Sequence, residues 1–297
     1  MVPGVWGLRV FPGARGRALP AYRAAPSRRP VPTAVSLSLL RSTLRPLIFF
    51  GGRLPEPAAS AVRHAAALRL TDDERADERA VEALRARLGE SLDEVEVVDY
   101  GAGSRGGEKA PVRRVSDVYR RAATGPAWGR FLYGLARGLR PARVLELGTN
   151  LGVGAAHLAG ALARTEEEGG PGGRLVTLEG APAYAAIARE SLDHLGHASR
   201  VEVVVGPFAE TLSGVCERGG PFELVFVDGH HEEEAALSYV RQIRPHLAPG
   251  ALVILDDVEP GRPVRRSWQA LAREAEGALW LGKYGLLCLG PEGSTPG

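Results

Sequence analysis

From Val115 onward the apolar residues of the chain follow two alternating rhythms. Near-continuous apolar runs at residues 143–147, 174–179, 201–205, 223–228 and 251–256 have the length and composition of strands buried on both faces. Between them lie stretches of helical period joined by short polar segments, which predicts five parallel strands in an α/β fold. A helix is expected over residues 264–276. Beyond it, apolar residues 278–281 and 284–289 are separated only by Gly282 and Lys283, a join so short that it requires an antiparallel hairpin.

The first part of the chain reads differently. Residues 1–34 are rich in Pro, Gly, Ala and Arg, and their prolines interrupt every incipient helix, so a disordered basic tail is expected. Residues 36–50 have the pattern of a short amphipathic helix, and residues 74–88 that of a charged, solvated helix ended by Gly89. Residues 94–112 read as a strand and loop near a site entrance. The expected division is a tail (1–34), a helical and loop extension (35–112), a main domain (113–290) and a C-terminal tail (291–297).

Composition adds limits. With 44% hydrophobic residues and 37 basic against 35 acidic side chains, the chain is an ordinary soluble globular protein and not disordered throughout. Cys216 and Cys288 are too few for a disulfide scaffold or a four-cysteine zinc site, and a reducing cytoplasm is the expected location. The most apolar stretch, 35–50, is broken by Arg41 and Arg45, so no transmembrane helix is expected. The arginine-rich start carries no acid before Glu56. Only Lys109 and Lys283 among the basic residues are lysines, a bias to which genome composition alone can lead and from which no function follows.

Candidate chemistry begins at residues 144–158, VLELGTNLGVGAAHL. A buried strand ends at Glu146, turns through Gly148, Thr149, Asn150, Gly152 and Gly154, and enters a helix of small residues. Glycines let a ligand approach the backbone, a helix start offers free N–H groups, and a strand-end acid can meet a cationic amine; a nucleoside ligand is expected here. The spacing E-x-G-x-x-x-G-x-G is not that of a dinucleotide site. Glu179, followed by Gly180, closes the next strand where a carboxylate can accept both ribose hydroxyls. A second strand, acid and glycine turn at Asp99, Gly101 and Gly103 is set aside, because the Gly- and charge-rich residues 105–114 cannot begin a helix.

Together the segments VLELGTNLGVGAAHLA, RLVTLEG, VEVVVGPFAETL, FELVFVDGHHEEEA and HLAPGALVILDDV resemble a class I S-adenosylmethionine-dependent methyltransferase of the catechol and caffeoyl-CoA O-methyltransferase-like branch, over about residues 113–290. The resemblance implies a Rossmann-like, seven-stranded, mostly parallel sheet with an antiparallel last strand, flanked by helices. It also implies that Glu146 and Gly148 border the methionine portion of S-adenosylmethionine, that Glu179 binds its ribose, and that Phe208 and Ala209 flank its adenine. Asp228, Asp256 and Asp257 close two further strands, where ligands of open parallel sheets lie. Three such carboxylates suit Mg²⁺ or another divalent cation that would acidify an acceptor hydroxyl; the alternative is that they serve only as turn caps and hydrogen-bond acceptors. In the catechol-type enzymes these positions read Asp, Asp and Asn, so Asp257 departs from the pattern. His231 stands where those enzymes carry a catalytic lysine and is the expected general base, with His230 as its neighbour or substitute and Asp228 beside them.

The expected activity is O-methylation of a small-molecule hydroxyl. Two rivals remain: a nucleic-acid N-methyltransferase, for which the basic arm speaks but the VDGHH strand end does not, and a non-catalytic cofactor-binding relative. The sheet edge within residues 268–289 is a candidate contact for a homodimer.

Overall fold

The computed structural model describes residues 48–49, 54–97 and 112–291, with the backbone alone at 48–49. The elements in chain order are β1 (Ile48–Phe49), α1 (Ala58–Ala67), α2 (Asp72–Glu90), β2 (Glu94–Glu96), β3 (Val112–Arg114), α3 (Val115–Ala122), α4 (Pro126–Leu139), β4 (Arg143–Leu147), α5 (Val153–Glu167), β5 (Arg174–Glu179), α6 (Pro182–His194), β6 (Val201–Val205), α7 (Phe208–Gly219), β7 (Phe222–Val227), α8 (Glu233–Ile243), a 3₁₀ turn (Arg244–His246), β8 (Leu247–Leu255), α9 (Val264–Ala272), β9 (Gly277–Trp280) and β10 (Gly285–Leu289).

The main sheet has the order β1-β9-β10-β8-β7-β4-β5-β6. Strands β8, β7, β4, β5 and β6 are parallel neighbours, and β10 is antiparallel to both β8 and β9. The five expected strands and the hairpin are present, and strands β4 to β10 form the expected seven-stranded sheet. Side chains alternate between its faces: Val144, Leu224 and Phe226 face the core built with α1, α2, α4 and α5. Leu145, Leu147, Val225 and Val227 face the one built with α7, α8 and α9. Covering both faces explains why these strands read as unbroken apolar runs.

Four expectations are corrected, and two fall outside the described residues. Ile48 and Phe49, expected in a helix, form a strand that pairs with Trp280 and Leu279. Gly89 does not end α2, which runs on to Glu90; a Cβ there would lie 3.2 Å from the Tyr119 ring, so glycine admits α3 against α2. Nor is α2 solvated all round, since it buries Val81, Leu84, Arg85 and Leu88. Helix α9 stops at Ala272, four residues short of expectation. The tail 1–34 and the glycine turn at Asp99, Gly101 and Gly103 lie outside the described residues.

The segment before the sheet is fastened to it by ion pairs. Helix α2 starts with a capping box between Thr71 and Glu74. Glu74 also accepts from Arg137 Nε at 3.0 Å, and Asp77 takes both Nε and Nη2 of Arg164. Buried Arg85 donates to the Thr124 carbonyl at 2.7 Å and lies 3.2 Å from His157 Nε2. Burial, with the charges of Arg85 and Arg130, pushes His157 down to about 3, so its neutral ring accepts this bond. The Thr124 wall of the site is thereby tied to α2 and α5. Among the described residues no helix is long and apolar enough to cross a membrane, and both cysteines are free and buried.

Candidate functional site

A cavity of about 770 Å³ opens over the carboxyl ends of β4, β5, β7 and β8, within the range of about 300–1,000 Å³ usual for small-molecule sites. Gly148, Asn150, Glu179 and Gly180 line one part, Phe208, Ala209 and Tyr239 another, and Asp228, His230, His231, Asp256, Asp257 and Lys283 the floor and mouth. Val97, just after β2, and Arg113, within β3, form part of the outer wall. The sheet ladder carries its acids to this rim. Asp228 N–H donates to Leu147 O at 2.8 Å and Asp256 N–H to Val227 O at 2.9 Å, so each acid sits one step beyond its strand.

The first turn requires its glycines. Gly148 has φ +102°, and a Cβ there would stand 2.2 Å from the Asp228 carbonyl oxygen. Gly152 caps α5 at φ +87°, and a Cβ on Gly154 would stand 2.6 Å from Glu146 Oε1. Neither Gly152 nor Gly154 lines the cavity; they admit packing beneath it.

Glu146 lies under the turn, 1% exposed. Its Oε2 accepts from Thr177 Oγ1 at 2.6 Å, and Thr177 and Thr149 hydroxyls lie 2.6 Å apart, whereas Glu146 Oε1 has no hydrogen-bond partner. Burial pushes the Glu146 carboxyl up to about 8; Thr177 opposes the rise and the Glu179 charge adds to it. A buried carboxylate oxygen left open beside a glycine turn fits a cationic amine, and so fits the methionine end of S-adenosylmethionine. Glu179 accepts from Asn150 N at 2.7 Å and Ala181 N at 2.9 Å. Burial raises its carboxyl despite these donors. Its remaining lone pairs can accept from two vicinal hydroxyls. Phe208, first residue of α7, meets Tyr239 edge to face with centroids 5.6 Å apart, giving an apolar wall.

The two histidines part company. His230, at φ 57°, turns Nδ1 to the Tyr239 hydroxyl at 2.9 Å. His231 is half exposed at the mouth, with Nδ1 3.7 Å from Asp257 Oδ2, which leaves Nε2 directed away from its carboxylate partner.

The three aspartates do not form the expected metal site. Lys283, at the tip of the β9–β10 hairpin, brings Nζ to both carboxylate oxygens of Asp256 and to Asp257 Oδ1 at 2.8 Å. Among the described residues no group of three or more His, Cys, Asp or Glu is arranged to hold a metal ion. Burial and the neighbouring Asp256 charge raise the Asp228 carboxyl well above its ordinary value. Asp257, which burial alone would raise, is held below that range by Lys283. Burial acts to lower the Lys283 ammonium, but the Asp256 and Asp257 carboxylates outweigh it and keep it charged. The donor set does not fit a divalent cation.

Lys283, Thr177 and Tyr239 were not legible as site residues. Only the lysine left a signal: a chain that uses arginine at nearly every basic position has lysine here.

Known proteins resemble this core. A family model described as a methyltransferase domain matches residues 145–258. A catechol O-methyltransferase of Mycobacterium tuberculosis is 40% identical over 141 residues, 48% of this chain and 59% of that protein. One of Niastella koreensis is 33% identical over 134 residues, 45% and 57% of the two chains. The chain thus spans somewhat over half the length of these relatives. A crystal structure of an O-methyltransferase from Bacillus cereus, 21% identical, matches 78% of this chain and 97% of its own with a TM-score of 0.52, a likeness of fold. By its strand order, its glycine turn and the match of residues 145–258 to a methyltransferase domain, the chain resembles class I S-adenosylmethionine-dependent methyltransferases of the catechol O-methyltransferase-like branch.

Proposed function

We propose that the chain transfers a methyl group from S-adenosylmethionine to a hydroxyl of a small molecule, with His231 as general base. The observation that carries this reading is the unpartnered, buried Glu146 Oε1 beneath the Gly148 turn, under a cavity that Gly148, Glu179 and the His231–Asp257 pair line. S-adenosylmethionine supplies a methyl carbon on a sulfonium whose thioether is already a good leaving group. Glu146 takes the ammonium, Glu179 the ribose hydroxyls, and Phe208 with Ala209 and Tyr239 the adenine. Gly148 and Asn150 let the backbone come close. On the acceptor side His231 Nε2 removes the hydroxyl proton while Asp257 orients the ring and faces the imidazolium that results. The acceptor oxygen forms a bond to carbon, the carbon–sulfur bond breaks, and its electron pair remains on sulfur. Holding the reactants in line does much of the work. The named activities of the M. tuberculosis and N. koreensis relatives support this reading.

Calorimetric titration with S-adenosylhomocysteine tests it. The chain is expected to bind in the micromolar range, about −8 kcal/mol. Glu179→Ala is expected to weaken binding by at least about tenfold, the loss of one or two charge-assisted hydrogen bonds. No binding by a folded chain overturns the reading.

Glu146 adds a pH signature. In the free chain its carboxyl is protonated below about 8, and an ammonium binds the ionised form. Below that pH, binding is expected to release close to one proton, and affinity to rise by about tenfold per pH unit toward a plateau above it. Heats measured in buffers of different ionisation enthalpy give the proton count. In the unliganded chain the sign is opposite: this carboxyl's folded value lies above the ordinary 4.5, so its contribution to stability is present at low pH and is lost as pH rises through about 8.

A further inference from the structure

We propose that the Lys283 ammonium serves as the built-in cation of this site, occupying the space between Asp256 and Asp257 so that methyl transfer here requires no divalent metal. The proposal rests on the methyl-transfer reading above and deepens it.

Three observations carry it. Lys283 Nζ contacts three carboxylate oxygens, both of Asp256 and Oδ1 of Asp257, which accounts for all three donors of an ammonium. The hairpin tip is tied down: Leu281 N–H donates to Tyr284 O and Val258 N–H to Lys283 O, each at 2.9 Å, and Trp280 Nε1 donates to Gly282 O at 2.6 Å. Val258 directly follows Asp257, so one backbone bond fixes lysine and acids relative to each other. Finally, among the described residues no group of three or more His, Cys, Asp or Glu is arranged to hold a metal ion.

A divalent ion needs about six oxygen ligands at about 2.0–2.6 Å, and entering here it would have to displace a fixed positive charge. Arginine could not replace the lysine, because its planar fork cannot direct three donors into so compact a cluster. Lys283 lines the cavity floor near His231, joined to it through Asp257. As His231 takes the acceptor proton, negative charge grows on the acceptor oxygen, and a pre-placed ammonium offsets it through space, its three N–H donors remaining on the carboxylates. Lys283 is a charge-positioning residue in this scheme, and His231 the base.

The test uses the full chain, stripped of metal by a chelator and saturated with S-adenosylhomocysteine. Mg²⁺ and Mn²⁺ are titrated calorimetrically into wild type, Lys283→Ala and Lys283→Gln. Wild type is expected to show no saturable binding up to millimolar metal and, with an identified acceptor, undiminished turnover in EDTA. Lys283→Ala is expected to bind Mn²⁺ in the submillimolar range and to lose about 10²-fold in kcat, recovered in part by added metal. Saturable Mg²⁺ binding by wild type with loss of turnover in EDTA overturns the proposal and leaves methyl transfer standing. Full turnover of a folded Lys283 variant in EDTA also overturns it. A chain that binds no S-adenosylhomocysteine removes the methyl-transfer reading, and this inference with it. The wild-type titration decides the matter even where neither variant folds.

Discussion

Replacing His231 with alanine is expected to lower kcat by about 10²–10⁴-fold while leaving S-adenosylhomocysteine affinity unchanged. The asymmetry follows from position. His231 stands at the cavity mouth against Asp257 and makes no contact with Glu146 or Glu179, so its loss removes a proton acceptor and not a binding group. Added imidazole, which fits the vacated space, should restore part of the rate. His230→Ala should behave differently: its ring is engaged by the Tyr239 hydroxyl, on the side where Tyr239 meets Phe208. The expected result there is weaker cofactor binding with a modest change in kcat. Steady-state kinetics combined with calorimetry separate the two, and a His231→Ala enzyme at full speed would remove the base assignment.

The second large effect belongs to Gly148. Alanine at this position must adopt φ near +102° and put its Cβ 2.2 Å from the Asp228 carbonyl oxygen. The first demand costs about 1–2 kcal/mol for an L residue; the second cannot be met without moving the end of β7 away from β4. A loss of at least about 3 kcal/mol is expected, which for a domain of this size lowers Tm by roughly 6–12 °C. Because the same shift displaces Asp228 and the Asn150 amide, cofactor binding should disappear together with stability. Gly250→Ala is the control. It too has a positive φ, +71°, but nothing lies within 4 Å of its Cβ, so backbone strain acts there without collision.

What could be read before the structure was what depends on local order. A buried parallel strand announces itself by an unbroken apolar run, and the ligand side of such a sheet is fixed by chain direction, so Glu146, Glu179, Asp228 and Asp256 could be assigned to one rim. Residues brought in by strand pairing could not. Thr177 meets Glu146 only because β4 and β5 lie in a register that pairs them directly. Lys283 comes 27 residues after Asp256, over α9 and an antiparallel hairpin, and no spacing rule connects them. For the same reason a count of the three acids at the strand ends could not include the lysine that stands among them. Gly89 misled in another way, since a glycine near a helix end reads as a stop signal and here serves close packing against Tyr119. Strand β1, two residues long, has no periodicity to detect.

That short strand covers part of the β9 edge of the sheet. The outer row of hydrogen-bonding groups on β9 is a template onto which another chain could add, and Ile48 and Phe49 cover its Trp280 and Leu279 positions from within the same polypeptide. Removing the residues before Leu54 as dispensable would therefore uncover a β9 edge that carries apolar Ala278 and Leu279, exchanging a covered edge for one onto which another strand can add. Whatever else the amino-terminal segment does, a shortened chain intended for crystallisation or assay should retain residues 48 and 49 to keep that edge closed.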